Sequence, residues 1–436
     1  MLTLRLSAAL LVLVAPSLAE VHPLTLKQAL DLASRLNPDV ALARLDQQRS
    51  QEDIRIAQNP FRPKIYGGSG LAYTYGYPNS IEGNAPSLFQ MRTDMALFNR
   101  PDSYKLAAAR EHARGSQYGA QAKGEEVAFQ AADLFLNASQ SEHEATTLAS
   151  QLPSLHKVSE AMDAAVSEGT ELPLESKRAT VNLAISQQRL DAAHLDADYY
   201  EMMLAIVLGY PATDRVKPVD AVTPDLNPPA SESEAADKAL ENNRELKQMQ
   251  SNVLAKELDL RSYKSARLPQ MDLVAQYAFF LKQNYENYFQ KFQANNYQVG
   301  ASITIPLLVG SASKAMAQQS ITDLQKIRIQ MDQTRNRIIA DTRRSFQQWQ
   351  KATSIRDLSR MQLDLAREQL SVLLAQNNEG RVPMSRVEQA RLEEGDRWIA
   401  LYEAETQVTR AKLAILRQTG TLLAAVRTAT TGTAQP

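Results

Sequence analysis

Side chains that could do chemistry are few and scattered in this sequence. The 436-residue chain has no cysteine, which excludes thiolate catalysis, disulfides and cysteine-ligated metal. Its five histidines are dispersed, and in Glu142-His143-Glu144 adjacent helical side chains point to different faces. The run YGGSG at 66–70 lacks the Lys-Ser/Thr that completes a phosphate loop. We therefore predict no enzyme, no cofactor and no metal site.

The N-terminus predicts export from the cytoplasm. Arg5 precedes a short apolar run that ends in Ser17-Leu18-Ala19, a small-x-small cleavage site, so residues 1–19 read as a signal peptide cleaved after Ala19. A transmembrane anchor would need about 20 apolar residues. The net charge of −1 gives no reason to expect a nucleic-acid partner. We expect the mature chain to be soluble outside the inner membrane or to cross an outer membrane as β-structure.

The chain contains an internal repeat. Residues 29–65 align with 235–271 at a constant offset of 206 without a gap, and further landmarks follow in the same order at offsets of 210 and 211. The matched landmarks are Asn37 with Asn243, Pro63 with Pro269, Glu168-Gly169 with Glu379-Gly380, Pro173 with Pro383, and Gly209 with Gly420.

Each copy is predicted to hold an opening helix, a β-hairpin, a very long helix, a tight turn and a return helix. Copy one spans 20–208, with opening helix 24–58, hairpin 64–98 and tip turn 166–175; copy two spans 231–420, with opening helix 232–266, hairpin 270–306, long helix 311–376 and tip turn 377–385. We expect a proline-rich linker without regular structure at 209–230 and a flexible tail at 421–436.

The β-like runs alternate apolar and polar residues with period two, as in 88–98 and 295–305. Runs of about ten residues with tyrosines near their ends are typical of outer-membrane strands. These tyrosines are Tyr73, Tyr75, Tyr77, Tyr285, Tyr288 and Tyr297. Two soluble hairpins with one buried face are the alternative.

The long helices need neighbours. Residues 311–376 contain neither proline nor glycine and would rise roughly 100 Å as one helix. Leu324, Met331 and Ile338 recur every seven residues, as do Leu358, Leu365 and Val372, which predicts seams for partner helices.

Closure of the sheet requires several chains. Two hairpins give four strands, which cannot enclose a barrel, and an open sheet in lipid leaves edge N–H and C=O groups unpaired. Three chains would give about twelve strands, although two or four chains remain open from sequence. The predicted fold class is mainly α with a small β part: a long α-helical coiled-coil tunnel and a shared transmembrane β-barrel, four strands per chain.

This ordered set of parts resembles the outer membrane efflux protein family, the TolC-like trimeric exit ducts. The resemblance runs from about Leu24 to Gly420 and includes the segment VEQARLEEGDRWIALYEAETQVTRAKLAIL after the second turn. It implies a homotrimer with a barrel in outer membrane lipid and a helical tunnel in the periplasm. It also implies two protein partners, a periplasmic adaptor (membrane fusion) protein and an inner-membrane transporter.

The resemblance makes the two Glu-Gly turns the periplasmic tips that meet the adaptor. Glycine permits the positive φ that ends a helix, and proline suits the start of the next. These residues could alternatively serve only to make the turn. The implied adaptor-contacting residues are Glu168, Gly169, Thr170 and Leu172, and Glu379, Gly380, Arg381 and Val382.

The family narrows its duct just inside the tip, and some members place acidic rings there. This chain instead carries Arg386, Glu388 and Gln389 in that region. Three lumen-facing copies of Glu388 would attract cations at a pore constriction; otherwise Glu388 is a solvated helix residue.

The predicted function is the outer membrane channel of a tripartite efflux or type I secretion system, which conducts substrate passively from the adaptor and pump. The alternative is a secreted coiled-coil structural protein, such as a filament or adhesin subunit. The nature of the substrate (drug, metal, metabolite or polypeptide) stays open.

Overall fold

The computed structural model describes residues 20–70, 87–219, 226–280, 293–307 and 311–428. The predicted signal peptide, most of both hairpin loops and the tyrosines at 73, 75, 77, 285 and 288 lie outside this part. The chain divides into two compact units. The first contains residues up to Ala41, 123–241 and from 338 onward, and the second contains 42–122 and 242–337.

Six strands and nine α-helices lie within the described residues. The strands are β1 (Val21–Leu24), β2 (Lys64–Gly70), β3 (Ser87–Phe98), β4 (Arg215–Pro218), β5 (Gln270–Phe279) and β6 (Asn295–Thr304). The helices are α1 (Leu26–Leu36), α2 (Pro38–Gln58), α3 (Arg100–Ser167), α4 (Pro173–Val207), α5 (Glu232–Asn242), α6 (Arg244–Lys264), α7 (Ser311–Asn378), α8 (Met384–Gln418) and α9 (Leu422–Thr428).

The predicted twofold repeat is confirmed by helix lengths that match in pairs. α1 and α5 each have 11 residues, and α2 and α6 each have 21. α3 and α7 each have 68 residues, and α4 and α8 each have 35. The two copies therefore repeat the same series of elements.

The prediction of one continuous opening helix in each copy was wrong. An asparagine separates α1 from α2 and α5 from α6, with extended ψ values of 132° at Asn37 and 126° at Asn243. The Asn37 side chain accepts hydrogen bonds from the amides of Asp39 and Val40 and donates to the Val207 carbonyl at 2.8 Å. Asn243 likewise accepts from the two amides that follow it. The matched asparagines therefore cap a second helix.

The core of the first unit corrects two further expectations. The stretch 209–230 contains the strand β4, which pairs in parallel with β1, and Val216 in β4 is fully buried. The stretch 421–436 begins with α9, whose Leu422 and Val426 are buried in the same core as Leu30 of α1. β4 and α9 take regular structure because their apolar side chains complete that core.

Four glycines end the four longest helices in the same way. Gly169, Gly209, Gly380 and Gly420 have φ values of 73°, 86°, 72° and 64°. At the first, the Thr170 amide donates to the Ala165 carbonyl and the Gly169 amide to the Val166 carbonyl, at 2.9 and 3.1 Å. The other three glycines carry the same pair of bonds, which is the Schellman arrangement.

We expect Gly209→Ala to destabilise the first unit. A Cβ there would lie 2.8 Å from the Leu36 carbonyl oxygen, and left-handed backbone costs a non-glycine residue about 1–2 kcal/mol before that clash is counted. Thermal unfolding followed by circular dichroism should show a lower midpoint.

Gly124→Ala is the matched control. It lies within α3, and an added Cβ would meet no atom within 4 Å. Alanine there should raise stability by up to about 1 kcal/mol. Equal midpoints for the two variants would contradict the assigned role of Gly209.

Candidate functional site

The second unit carries a four-stranded antiparallel sheet with two open edges. The order is β2-β3-β5-β6, so the two hairpins meet through β3 and β5. Within the described residues, β2 and β6 each pair on one side only. A long unpaired edge leaves a row of backbone donors and acceptors available to another strand.

One face of this sheet is apolar and largely uncovered. The register aligns Met91 with Tyr277 and Tyr277 with Tyr297, and the next rung on this face aligns Ala275 with Val299. On β6 the exposed fractions reach 82% at Tyr297 and 72% at Val299. The other large apolar side chains on this face are Ile65, Phe89, Met95, Met271, Leu273, Phe279 and Ile303. In water, such a face would ordinarily pack against a core.

The opposite face is polar and concave. Arg92 aligns with Gln276, which aligns with Gln298, and an Arg92–Asp94 ion pair of 2.9 Å lies on the same side. A shallow pocket over this face is lined by these side chains together with Gln90. The period-two pattern of the sequence therefore separates an apolar face of the sheet from a polar face, as predicted.

The helices supply a second unpartnered apolar surface. Leu358, Leu365 and Val372 recur every seven residues along α7 and are 51%, 56% and 49% exposed. The earlier seven-residue series differs, because its Leu324 and Ile338 are buried within the chain. Among the described residues, no helix is both long enough and apolar enough to cross a bilayer.

The predicted tip residues lie in two closely similar turns. Residues 168–172 and 379–381 are exposed, and Val382 is half-buried. The Thr170 hydroxyl donates to the Ala165 carbonyl at 2.9 Å, and the Asn377 side chain donates to the Val382 carbonyl at 2.7 Å. Backbone carbonyls, the Thr170 hydroxyl and the Asn377 amide group are thus used to build the turns. The side chains of Glu168, Leu172, Glu379 and Arg381 point outward, with Arg381 bridging to Glu379 at 3.0 Å.

The three residues predicted near a constriction differ in how deeply they are buried. Arg386 and Gln389 are exposed, whereas Glu388 is only 3% exposed. Its carboxylate accepts from Ser154 of α3 at 2.7 Å and from Arg391 at 2.8 Å, and Arg391 also donates to Ser154 at 2.9 Å. Neither a lumen-facing nor a solvated Glu388 fits this geometry. The i, i+3 spacing of Glu388 and Arg391 was the available signal for the pair.

An aromatic contact lies farther along the same pair of helices. His143 of α3 stacks on Tyr402 of α8, with ring centroids 3.9 Å apart, and the Tyr402 hydroxyl lies 2.7 Å from the Ser139 hydroxyl. The imidazole Nδ1 is 2.9 Å from the Ser139 carbonyl. The histidine of the Glu-His-Glu triplet thus contributes to the packing of α3 against α8.

Comparison with known proteins supports the family resemblance. Residues 235–421, the second copy, match the sequence model of the outer membrane efflux protein family. The proteases secretion protein PrtF of Dickeya chrysanthemi is 25% identical over 185 residues, which cover 42% of this chain. That match spans 39% of the length of the curated relative.

Two solved structures show the same fold over nearly the whole chain. The outer-membrane channel OprN matches with a TM-score of 0.71 at 15% identity, covering 91% of this chain and 89% of its own. The Campylobacter jejuni CmeC outer membrane channel matches with a TM-score of 0.72 at 14% identity, covering 91% and 86%. These likenesses confirm the predicted fold class.

We expect Glu388→Ala to destabilise the packing of α8 on α3. The substitution leaves Ser154 and Arg391 without their shared acceptor, and loss of a partner for buried polar groups costs about 1–3 kcal/mol. Arg391 is partly exposed and can regain water, so we expect the lower end of that range.

Gln389→Ala is the control, because this neighbouring side chain is exposed. Urea unfolding monitored by helical circular dichroism should separate the two variants. An unchanged midpoint for Glu388→Ala would overturn the assignment of a structural ion pair.

Proposed function

We propose that this chain, whose second copy matches the outer membrane efflux protein family and whose fold is that of outer membrane channels, is the exit duct of an efflux or type I secretion system. Substrate passes through it passively, from a periplasmic adaptor and an inner-membrane pump to the exterior. The channel and secretion proteins to which it is similar support a conducting role without catalysis.

The observation that carries this proposal is the sheet. Its two edges are open and its apolar face is exposed, and outer membrane lipid can cover that face. Lipid offers no hydrogen bonds to the edges, so other strands must supply them. Copies of the same chain meet both demands at once.

Strand direction favours closure by simple repetition. The four strands alternate, so β6 runs opposite to β2. When the next copy presents its β2 to this β6, the new pair is antiparallel like the others. Three copies give about twelve strands, an even number within the range of outer-membrane barrels. The polar concave face then lines the water-filled interior.

The exposed stripe on α7 fits the same assembly. Leu358, Leu365 and Val372 have the seven-residue spacing of helices that pack side by side. Helices from neighbouring copies would bury this stripe in a periplasmic tunnel wall. The two glycine turns would then be the tunnel's tips, with Glu168, Thr170, Leu172, Glu379, Arg381 and Val382 offered to the adaptor.

One alternative concerns the substrate of the duct, and another concerns the class of protein. The name of the Dickeya relative refers to secretion of proteases, which favours polypeptides as a substrate of this duct. A secreted filament or adhesin subunit would also explain long helices. That class gives no reason for an uncovered apolar face on an open-edged sheet.

We expect Val299→Lys to abolish stable insertion into the outer membrane. Val299 lies on the apolar face, and a lysine near the middle of the lipid-facing band costs about 2–4 kcal/mol per chain. Membrane fractionation and detergent gels without heating should show loss of the oligomer.

Gln298→Lys is the matched control on the polar face, one residue away. Its charge would face water, so the oligomer should persist. Equal behaviour of the two lysine variants would contradict the assignment of faces and with it the channel.

We expect Gly380→Pro to impair export while the oligomer remains in the membrane. Proline fixes φ near −65°, against the observed 72°, and removes the amide that donates to the Asn377 carbonyl at 2.8 Å. Gly380→Asn is the control, since asparagine tolerates positive φ. Export should be measured with the native pump present. Normal export by the proline variant would count against the tip assignment.

A further inference from the structure

The backbone carbonyl and the backbone nitrogen of Glu20 both form hydrogen bonds with residues around the start of β4. The Glu20 carbonyl accepts a hydrogen bond from the Arg215 amide at 3.0 Å. Its own nitrogen donates to Oδ1 of Asp214 at 3.4 Å. The parallel register of β1 with β4, which starts at Val21 and Arg215, therefore sets the position of the Glu20 nitrogen beside a carboxylate.

Asp214 is a buried carboxylate, only 7% exposed. The Thr213 hydroxyl donates to Oδ1 at 3.2 Å, and Nε2 of His22 lies 3.4 Å from Oδ2. The His22 ring stacks on Tyr210 at 4.3 Å, which fixes its orientation. The adjacent Arg215 instead pairs with Asp198 at 2.6 Å. Within the described chain, the basic side chain in contact with Asp214 is the His22 imidazole, which is a cation only when protonated.

Burial favours the neutral form of Asp214, but the hydrogen bonds outweigh it. The Glu20 amide, His22 and Thr213 together hold the pKa of Asp214 below its ordinary value. The group is therefore an anion at neutral pH. A buried anion is stabilised most by a nearby cation.

Removal of the predicted signal peptide would create that cation. An export endopeptidase would add water across the Ala19–Glu20 peptide bond, leaving a carboxylate on Ala19 and an α-amino group on Glu20. The ordinary pKa of an α-amino group is about 7.7–8.0, so this group is mainly protonated at pH 7. Hydrogen bonds between two charged groups are roughly twice as strong as neutral ones.

We propose that Asp214 is the binding site for the α-ammonium group of Glu20, so that cleavage after Ala19 completes a buried ion pair that fastens β1 to β4. The proposal rests on the predicted cleavage position and is independent of what the channel conducts. Before cleavage the same nitrogen is a neutral amide. Processing therefore strengthens the attachment of β1 to the core that contains Val216.

The pH dependence follows from the groups around this pair. A neighbouring carboxylate raises the α-amino pKa above its unfolded value, so the stabilisation is full below the ordinary pKa and is lost as pH rises through the raised one. The charged and titratable groups from the elements packed here are Glu20 and His22 of the β1 segment, Tyr210 and Asp214 of the turn, Arg215 and Lys217 of β4, Asp198 and Glu201 of α4, and Glu142 of α3.

The test measures the pKa of the N-terminal amine in the purified, mature full-length protein. Acylation by an amine-reactive reagent is followed by mass spectrometry of the N-terminal peptide across pH. We expect the peptide to begin at Glu20 and its amine to react about tenfold more slowly at pH 7 than in Asp214→Asn, with an upward-shifted pH profile. Asp196→Asn, an exposed position on α4, should match the wild type.

A different first residue, or identical pH profiles in wild type and Asp214→Asn, would overturn the proposal. A second variant avoids dependence on the folding of Asp214→Asn: one glycine inserted between Ala19 and Glu20 moves the amine away and keeps Asp214. Its amine should show an ordinary pKa. A wild-type profile in the insertion variant would also overturn the proposal.

Discussion

Backbone hydrogen bonding at the edges of one small sheet governs the rest of this structure. β2 and β6 each offer a row of donors and acceptors on their outer side. In water those groups would be solvated, but the exposed apolar face beside them favours lipid, where they would stay unpaired. In the proposed channel, strands from other copies would satisfy the edges and leave the apolar face in lipid. The open edges and the apolar face would thus both be accounted for by one assembly.

The duplication of the chain would give the proposed assembly two equivalent sets of elements per chain. Each of the two internal repeats contributes one hairpin, one 68-residue helix and one 35-residue helix. A glycine in the left-handed conformation ends each of these helices. The same Schellman bonds recur at Gly169 and Gly380, so both turns present the same backbone. A partner that recognises one turn meets a near copy of it on the same chain. The stripe Leu358, Leu365 and Val372 gives the helices a reason to assemble as well.

Local patterns predicted most of the fold. Period-two alternation predicted which residues share a face of β5 and β6, and the absence of proline and glycine predicted the long helix α7. The errors arose where a contact between residues far apart in the sequence determines the local structure. Asn37, between α1 and α2, also donates to the distant Val207 carbonyl, and β4 pairs with the distant β1 and buries Val216 in the core. For the candidate site, the turns were predictable from Glu-Gly and proline. The burial of Glu388 was not, because its partner Ser154 lies 234 residues away.

Cross-linking between sheet edges tests the shared sheet most directly, and the absence of native cysteine makes it clean. One cysteine is placed at Ile65 in β2 and a second is moved along β6 from Tyr297 to Ile303. Within one chain these strands lie three spacings apart, about 14 Å, so a shorter bismaleimide joins only different copies. Shared sheets predict that some pair in outer membranes gives a ladder ending at a closed oligomer. Monomers alone at every position would contradict the account.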